Sequence, residues 1–258
     1  MNEKSENSIP AIAVRDLKKS FGRGGNTVYA VRGASFTVNP GTLFSLLGIN
    51  GAGKTTTIRI LTGLTPADSG EAEIFGLPIT DHGTAAERSR IIGLSPQETS
   101  TAGNLTVREN LVMTAKIYGF SDAVARADHV IDKLCLGDYA GRLSKTLSGG
   151  LRRRLSIGMG IVTDPSVLFL DEPTLGLDVI ARRELWDFIG ELKKSVTVVL
   201  TTHYMEEAEA LSDRIAVMSG GIVTAEGTLS ELKAAAGLPD SDSLENAFIK
   251  LASQPRSI

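Results

Sequence analysis

The stretch Gly48-Ile49-Asn50-Gly51-Ala52-Gly53-Lys54-Thr55 constrains this chain more than any other. It fits G-x-x-x-x-G-K-[ST], a glycine-rich loop whose backbone cradles phosphate. An apolar run, Leu43-Phe44-Ser45-Leu46-Leu47, leads in and reads as a buried strand, and Thr56-Thr57-Ile58-Arg59-Ile60-Leu61 leads out as a helix. Strand, loop and helix in that order are the context the pattern requires. The glycines permit backbone angles and approaches that a Cβ would block. Successive N–H groups, backed by a helix N-terminus, then make a concave donor surface for a polyphosphate. Lys54 can bring an ammonium to the β- and γ-phosphates, and the Thr55 hydroxyl can ligate Mg2+. The bland alternative is a glycine-rich turn before an ordinary helix, and the eight-residue pattern in this context weighs against it.

The 258 residues suffice for one large α/β domain or two small ones. A net charge of −3 gives no global sign of nucleic-acid binding. The one cysteine, Cys135, excludes an intramolecular disulfide framework and a multi-cysteine metal site, and its apolar helical surroundings suggest packing. The polar start, MNEKSENSIP, has no apolar core of a signal peptide, and no run of about eighteen apolar residues could span a bilayer. The expectation is a soluble cytosolic protein able to dock on a membrane protein.

Along the chain, residues 1–10 are expected to be disordered. Ala11 to Leu17 and Ala34 to Val38 read as strands, with the turn Gly22 to Asn26 between them. Phe21 lies beside that turn. It is either a core aromatic or a face on which a base stacks, an interaction worth ~1–3 kcal/mol. Tyr29 is the competing candidate, and spacing alone does not choose. Glu71 to Phe75 reads as a strand. Arg90 to Leu94 reads as another, stopped by Pro96 so that Gln97 stands at a strand end. Helical spacing over Thr106 to Tyr118 and Ser121 to Leu136 makes the middle section helix-rich. Val167 to Glu172 is a continuous apolar run suited to a central parallel strand. Ile180 to Lys193 reads as a helix and Ser195 to Thr201 as a strand ending near His203. Ile215 to Met218 and Ile222 to Ala225 form a hairpin, and two short helices, Leu229 to Ala236 and Ser243 to Leu251, close the chain.

Asp171 and Glu172 end the buried strand, where unpaired carboxylates would be costly. Beside a phosphate loop the fitting partner is Mg2+ on Asp171, which leaves Glu172 to polarise an attacking water as general base. A carboxylate pair at a surface strand exit is the bland alternative. His203, Gln97, the carboxylate pair and the glycine loop all occupy strand ends, where ligands of open α/β sheets gather. Ser148-Gly149-Gly150 opens a helix carrying Arg152-Arg153-Arg154, with Ser148 as N-cap, which makes a second anion-binding terminus. The bland reading of the arginines is a solvated face, and it stands for at least some of them.

The ordered set GINGAGKT, Gln97, LSGG, VLFLDE, LGLD and His203 resembles the ATP-binding cassette of ABC transporters, from about Ile12 to about Leu229. The fold this implies is an α/β P-loop NTPase with a mainly parallel central sheet. An antiparallel β subdomain would lie at the N-terminus and a helical subdomain would be inserted at about residues 98–163. The cassette would cover residues 11–228, with a short helical tail at 229–258. The resemblance makes Phe21, rather than Tyr29, the residue that stacks on adenine. It gives Gly48, Asn50, Gly51, Ala52, Gly53, Lys54, Thr55 and Thr56 to the phosphates of ATP. Mg2+ falls to Thr55 and Gln97 with Asp171 in support. Glu172 becomes the catalytic base, His203 the γ-phosphate contact and Asp178 the subunit-coupling carboxylate. Ser148, Gly149 and Gly150 would bind the ATP of a second cassette, so that two cassettes close head-to-tail.

Leu151 departs from the family's usual Gln and puts a contact to the opposed ribose in doubt. The tail, Ser243 to Leu251, resembles that of cassettes in drug, lipid and antibiotic exporters. The implied partners are a second cassette, the same chain or another, and a separate multi-spanning permease that holds the protein on the cytoplasmic face of the membrane. An importer cassette and a ribosomal or DNA-acting member are the alternatives. The single cassette and the lack of sustained heptads speak against the latter, and no nucleic acid is expected.

Overall fold

The computed structural model describes residues 9–22, 26–81 and 83–253. The expected disorder of residues 1–8 and the middle of the Gly22–Asn26 turn lie outside them. Residues 9–10 are described and lead into the first strand.

The described residues contain ten strands and nine α-helices, with 3-10 turns at Gly137–Tyr139 and Ser144–Thr146. β1 (Ile12–Phe21), β2 (Val28–Val38), β4 (Ser69–Ile74) and β5 (Leu77–Pro78) form an antiparallel sheet in the order β2-β1-β4-β5. β3 (Leu43–Leu47), β6 (Ile92–Ser95), β7 (Val167–Asp171), β8 (Thr197–Thr202), β9 (Arg214–Ser219) and β10 (Ile222–Gly227) form the second, ordered β10-β9-β3-β8-β7-β6. All its pairings are parallel except the β9–β10 hairpin.

Every residue of β3, β7 and β8 is buried, as expected of strands covered on both faces. Alternation sorts their side chains. Leu43, Leu168, Leu170, Val198 and Leu200 face a core shared with α3 (Val107–Ile117), α4 (Ala123–Lys133), α5 (Gly149–Ile161) and α6 (Val179–Leu192). Phe44, Leu46, Val167, Phe169 and Val199 face the other way, onto α1 (Lys54–Leu61) and the antiparallel sheet. Phe36 stacks on Phe44 at 5.4 Å between centroids and ties the two sheets together. A third cluster packs Leu47, Ile215 and Val217 against α7 (Met205–Leu211), α8 (Leu229–Ala235) and α9 (Leu244–Ala252).

Three expectations need correction. The strand read from Arg90 begins only at Ile92. Arg90 and Ile91 instead end α2 (Ala85–Ile91), whose Arg88 is buried and donates to the Pro78 carbonyl at 2.7 Å. The first two strands are longer than expected, so Phe21 is the last residue of β1 and pairs with Val28. Cys135 is exposed, in a left-handed turn (φ 52°) just past α4, and packs in no core. The α3 terminus shows why its reading held. Thr106 caps the Glu109 N–H while the Glu109 carboxylate reaches back to the Thr106 N–H at 2.8 Å.

Candidate nucleotide site

Parallel register brings the strand ends together. Leu47 pairs with Thr202, Asp171 with Thr201, and Ser95 with Leu170. Gly48, His203, Glu172 and Gln97 therefore follow from one edge of the sheet. A cavity of about 390 Å3 lies there, walled by Val28, Tyr29, residues 50–56, Gln97 and Glu172.

The loop takes its shape from its glycines. Gly53 has φ 103°, and a Cβ there would sit 2.4 Å from the Ala30 carbonyl; one on Gly48 would sit equally close to the Met218 carbonyl. Lys54, 4% exposed, donates from Nζ to the carbonyls of Gly48 (2.7 Å) and Ile49 (3.1 Å) and stands 3.5 Å from Glu172 Oε1. Burial pulls its ammonium below the ordinary value, while Glu172 and then Asp171 draw it back up.

The carboxylates differ in their partners. Asp171 Oδ1 accepts from the hydroxyls of Thr55 (3.0 Å) and Thr201 (2.5 Å). Glu172 has φ 46°, a left-handed conformation uncommon outside glycine. Its Oε2 lies 3.4 Å from His203 Nδ1, and the His203 ring sits 4.1 Å from that of Tyr204.

These groups suit a magnesium nucleotide. Hydroxyl, carboxylate and amide oxygens from Thr55, Asp171 and Gln97 are hard donors of the kind Mg2+ takes. Among the described residues no three His, Cys, Asp or Glu side chains gather to hold a metal alone.

Other expected residues stand elsewhere. Phe21 is 46% exposed, with Lys19 Nζ 5.5 Å from its ring centroid, and it does not wall the cavity, whereas Tyr29 does. Ser148, Gly149 and Gly150 also lie outside it. Ser148 caps α5 by accepting from Leu151 N at 3.3 Å, and a Cβ on Gly150 would come within 3.2 Å of Ala181 Cβ. Close packing of α5 on α6 thus gives Gly150 a reason within one chain. Asp178 caps α6, accepting from Ala181 N at 2.9 Å.

Two buried charged side chains beside the site were not singled out by sequence. Arg153, the middle of three consecutive arginines, is buried while Arg152 is exposed. Its Nε donates to the Pro173 carbonyl (2.8 Å), Nη2 to that of Asp171 (2.6 Å), and Nη1 to those of Pro96 and Gln97. One guanidinium thereby joins α5, the Gln97 loop and the exit of β7. Burial lowers its pKa to about 10, against the pull of Asp171, Glu207 and Glu172. Glu207, fully buried on α7, accepts from Thr174 Oγ1 (2.9 Å) and Trp186 Nε1 (3.1 Å), and burial pushes its carboxyl up. A helical-face count around the Arg152–Arg154 run could have flagged Arg153; no local signal marks Glu207.

The sequence profile of ABC transporters matches residues 31–175, more than half of the chain. The daunorubicin/doxorubicin resistance ATP-binding protein DrrA of Streptomyces peucetius is 46% identical over 215 residues, 82% of this chain and 64% of its own length. The doxorubicin resistance ATP-binding protein DrrA of Mycobacterium tuberculosis (strain CDC 1551 / Oshkosh) is 41% identical over 234 residues, 90% and 70% of the two chains. This chain therefore spans about two thirds of the length of these relatives. A solved ATP-binding subunit of an ABC transporter superposes with a TM-score of 0.79 at 28% identity, covering 94% of this chain and all of that one. With the P-loop, the strand-end carboxylates and the fold in agreement, the chain belongs to the ABC transporter family, as an ATP-binding cassette.

Proposed function

We propose that this cassette drives export through a separate membrane-spanning permease, and that two cassettes close head-to-tail over two nucleotides. One observation carries the pairing. The cavity holding Lys54 and Glu172 is walled by neither Ser148 nor Gly149, which lie exposed on the same chain. A second cassette is the partner that brings such a surface onto the loop. The relatives' names, both of drug-resistance proteins, favour export over import. Among the described residues no helix is long and apolar enough to cross a membrane. The permease would hold the cassette at the cytoplasmic face.

Bound Mg2+-ATP supplies the phosphoanhydride bond and a cation that offsets its charge. Gly48 to Thr56 hold the phosphates with backbone N–H groups, and Lys54 turns its ammonium from loop carbonyls to phosphate oxygens. Thr55, Gln97 and Asp171 would hold the cation. Glu172 takes the proton of the attacking water, and His203, 3.4 Å from it, contacts the terminal phosphate. Phe21 is proposed for the adenine face, with Tyr29 at the cavity wall as its competitor. Asp178 couples the two subunits.

The test is Glu172→Gln. Loss of a general base costs about 10²–10⁴-fold in turnover. The variant is expected to bind ATP, lose turnover on that scale, and run as an ATP-dependent dimer in size-exclusion chromatography with light scattering. Turnover at the parent rate would overturn the base assignment, and a monomer at saturating ATP would overturn the pairing. Co-expression with a candidate permease, followed by detergent extraction and capture, tests the membrane partner.

A further inference from the structure

The side chain of Glu172 is not tightly anchored. Its two contacts, Lys54 at 3.5 Å and His203 at 3.4 Å, are both longer than the 2.7–2.9 Å of charge-assisted hydrogen bonds. Its aim must therefore be set from the backbone. That backbone is left-handed (φ 46°), a strained choice for a residue with a Cβ, and Pro173 next in line disfavours the right-handed helical alternative. Such a conformation persists only where its surroundings over-determine it.

Arg153 grips the flanking carbonyls of Asp171 and Pro173, the Leu175 N–H donates to the Glu172 carbonyl at 3.2 Å, and Thr201 takes the Glu172 N–H. The Glu172 N–H donates to both the carbonyl (3.1 Å) and the hydroxyl (3.0 Å) of Thr201 on the neighbouring strand β8. The same hydroxyl has a single proton, which it donates to Asp171 Oδ1. That oxygen also accepts from Thr55 Oγ1, the first turn of α1. An unbroken chain thus runs from Thr55 through Asp171 and Thr201 to the Glu172 N–H. Thr201 is fully buried. With its proton committed to Asp171, its oxygen is left as an acceptor for Glu172, so both bonds have a defined direction.

We infer that Thr201 is a positioning residue for hydrolysis. Its hydroxyl locks Asp171 and the backbone of Glu172 into one register and so fixes the angle at which the Glu172 carboxylate enters the site. It touches neither phosphate nor water, and acts through Glu172. The inference rests on Glu172 being the base.

The experiment compares Thr201→Val, Thr201→Ser and Glu172→Gln in the full chain. T201V keeps the shape and removes the hydroxyl; T201S keeps the hydroxyl. Turnover, KM, affinity for a fluorescent ATP analogue with Mg2+, thermal midpoint and ATP-dependent dimer formation are measured. T201V is expected to lose about 10–100-fold in kcat, with KM and analogue affinity within about twofold of the parent, because the loop and Lys54 are untouched. It should accumulate the ATP-bound dimer expected of E172Q, and T201S should recover kcat to within about threefold. Were T201V not to fold, Thr201→Ala removes the same hydroxyl and is held to the same outcomes. Three results would overturn the role: T201V turning over at the parent rate, T201V losing affinity as much as kcat, or T201S no better than T201V. If E172Q itself turns over normally, the base assignment fails and takes this inference with it. If E172Q is inactive while T201V is not, only Thr201 is wrong.

Discussion

Replacing Arg153 with alanine should cost far more stability than the same change at Arg154, although the two stand side by side among three arginines. Arg153 is 4% exposed and makes four donor contacts to carbonyls on two segments, Pro96–Gln97 and Asp171–Pro173. Hydrogen bonds from charged groups contribute about 1.5–3 kcal/mol each, so four of them amount to ~6–12 kcal/mol. Against this stands the burial of the charge. A pKa lowered from 12.5 to about 10 corresponds to about 3 kcal/mol recovered on deletion. The bonds win by ~3–9 kcal/mol, and the lower part of that range, ~3–5 kcal/mol, is the scale found when one member of a buried charged network is removed. For a chain of this size 1 kcal/mol moves the midpoint by about 2–4 °C, so a loss of ~3–5 kcal/mol should make R153A melt roughly 6–20 °C below the parent. Arg154 reaches only the carboxylate of Glu184 at 2.8 Å, and that partner is 59% exposed. Such a pair is worth about 0.2–1 kcal/mol, and R154A should shift the midpoint by no more than about 4 °C. Arg153→Lys should fall between, since one ammonium cannot reach all four carbonyls. Scanning calorimetry at pH 7 reads all three. Equal shifts for R153A and R154A would refute the claim that carbonyl clamping, not charge, gives Arg153 its weight.

Lys54→Ala removes a charge-assisted contact worth about 1.5–3 kcal/mol, so nucleotide affinity should drop about tenfold or more in a fluorescence titration, and an unchanged Kd would sink its phosphate role. Glu207 carries a pH signature. Its carboxyl is raised by burial in the folded state, so the stability tied to its proton is complete below the unfolded pKa and is lost as pH rises through the folded one. Glu207→Gln keeps an oxygen for Thr174 and Trp186 without the charge, and its thermal midpoint should gain on the parent's as pH climbs from about 4.5 upward. A difference that stays constant across that range would remove the desolvation account.

Much of the site could be read from sequence because its devices are contiguous. The glycine loop carries its own strand and helix, and LFSLL and VLFLD announce strands buried on both faces. The hairpin around Ser219-Gly220-Gly221 and the capping box at Thr106–Glu109 are equally local. Helix α2 was not legible. Its sequence, AAERSRI, is mostly polar, and the following Ile-Ile pair drew Arg90 and Ile91 into a strand. Its one buried anchor, Arg88, bonds carbonyls ten and seven residues away, which no period reveals.

The residues missed have a common physical character. Arg153 grips four carbonyls, Arg88 grips two, and Thr201 holds a backbone N–H. A carbonyl or an amide looks the same at every position, so the partner leaves no mark in the sequence, and the gripping residue looks like any surface arginine or strand threonine. The motif residues differ because they meet phosphate, metal or water, whose chemistry demands particular side chains. Glu172 stands between the two groups. Its carboxylate was legible as chemistry, whereas its left-handed backbone, which directs that carboxylate, depends on Thr201 twenty-nine residues further along the chain. A sequence can therefore name the base of such a site and stay silent on what aims it.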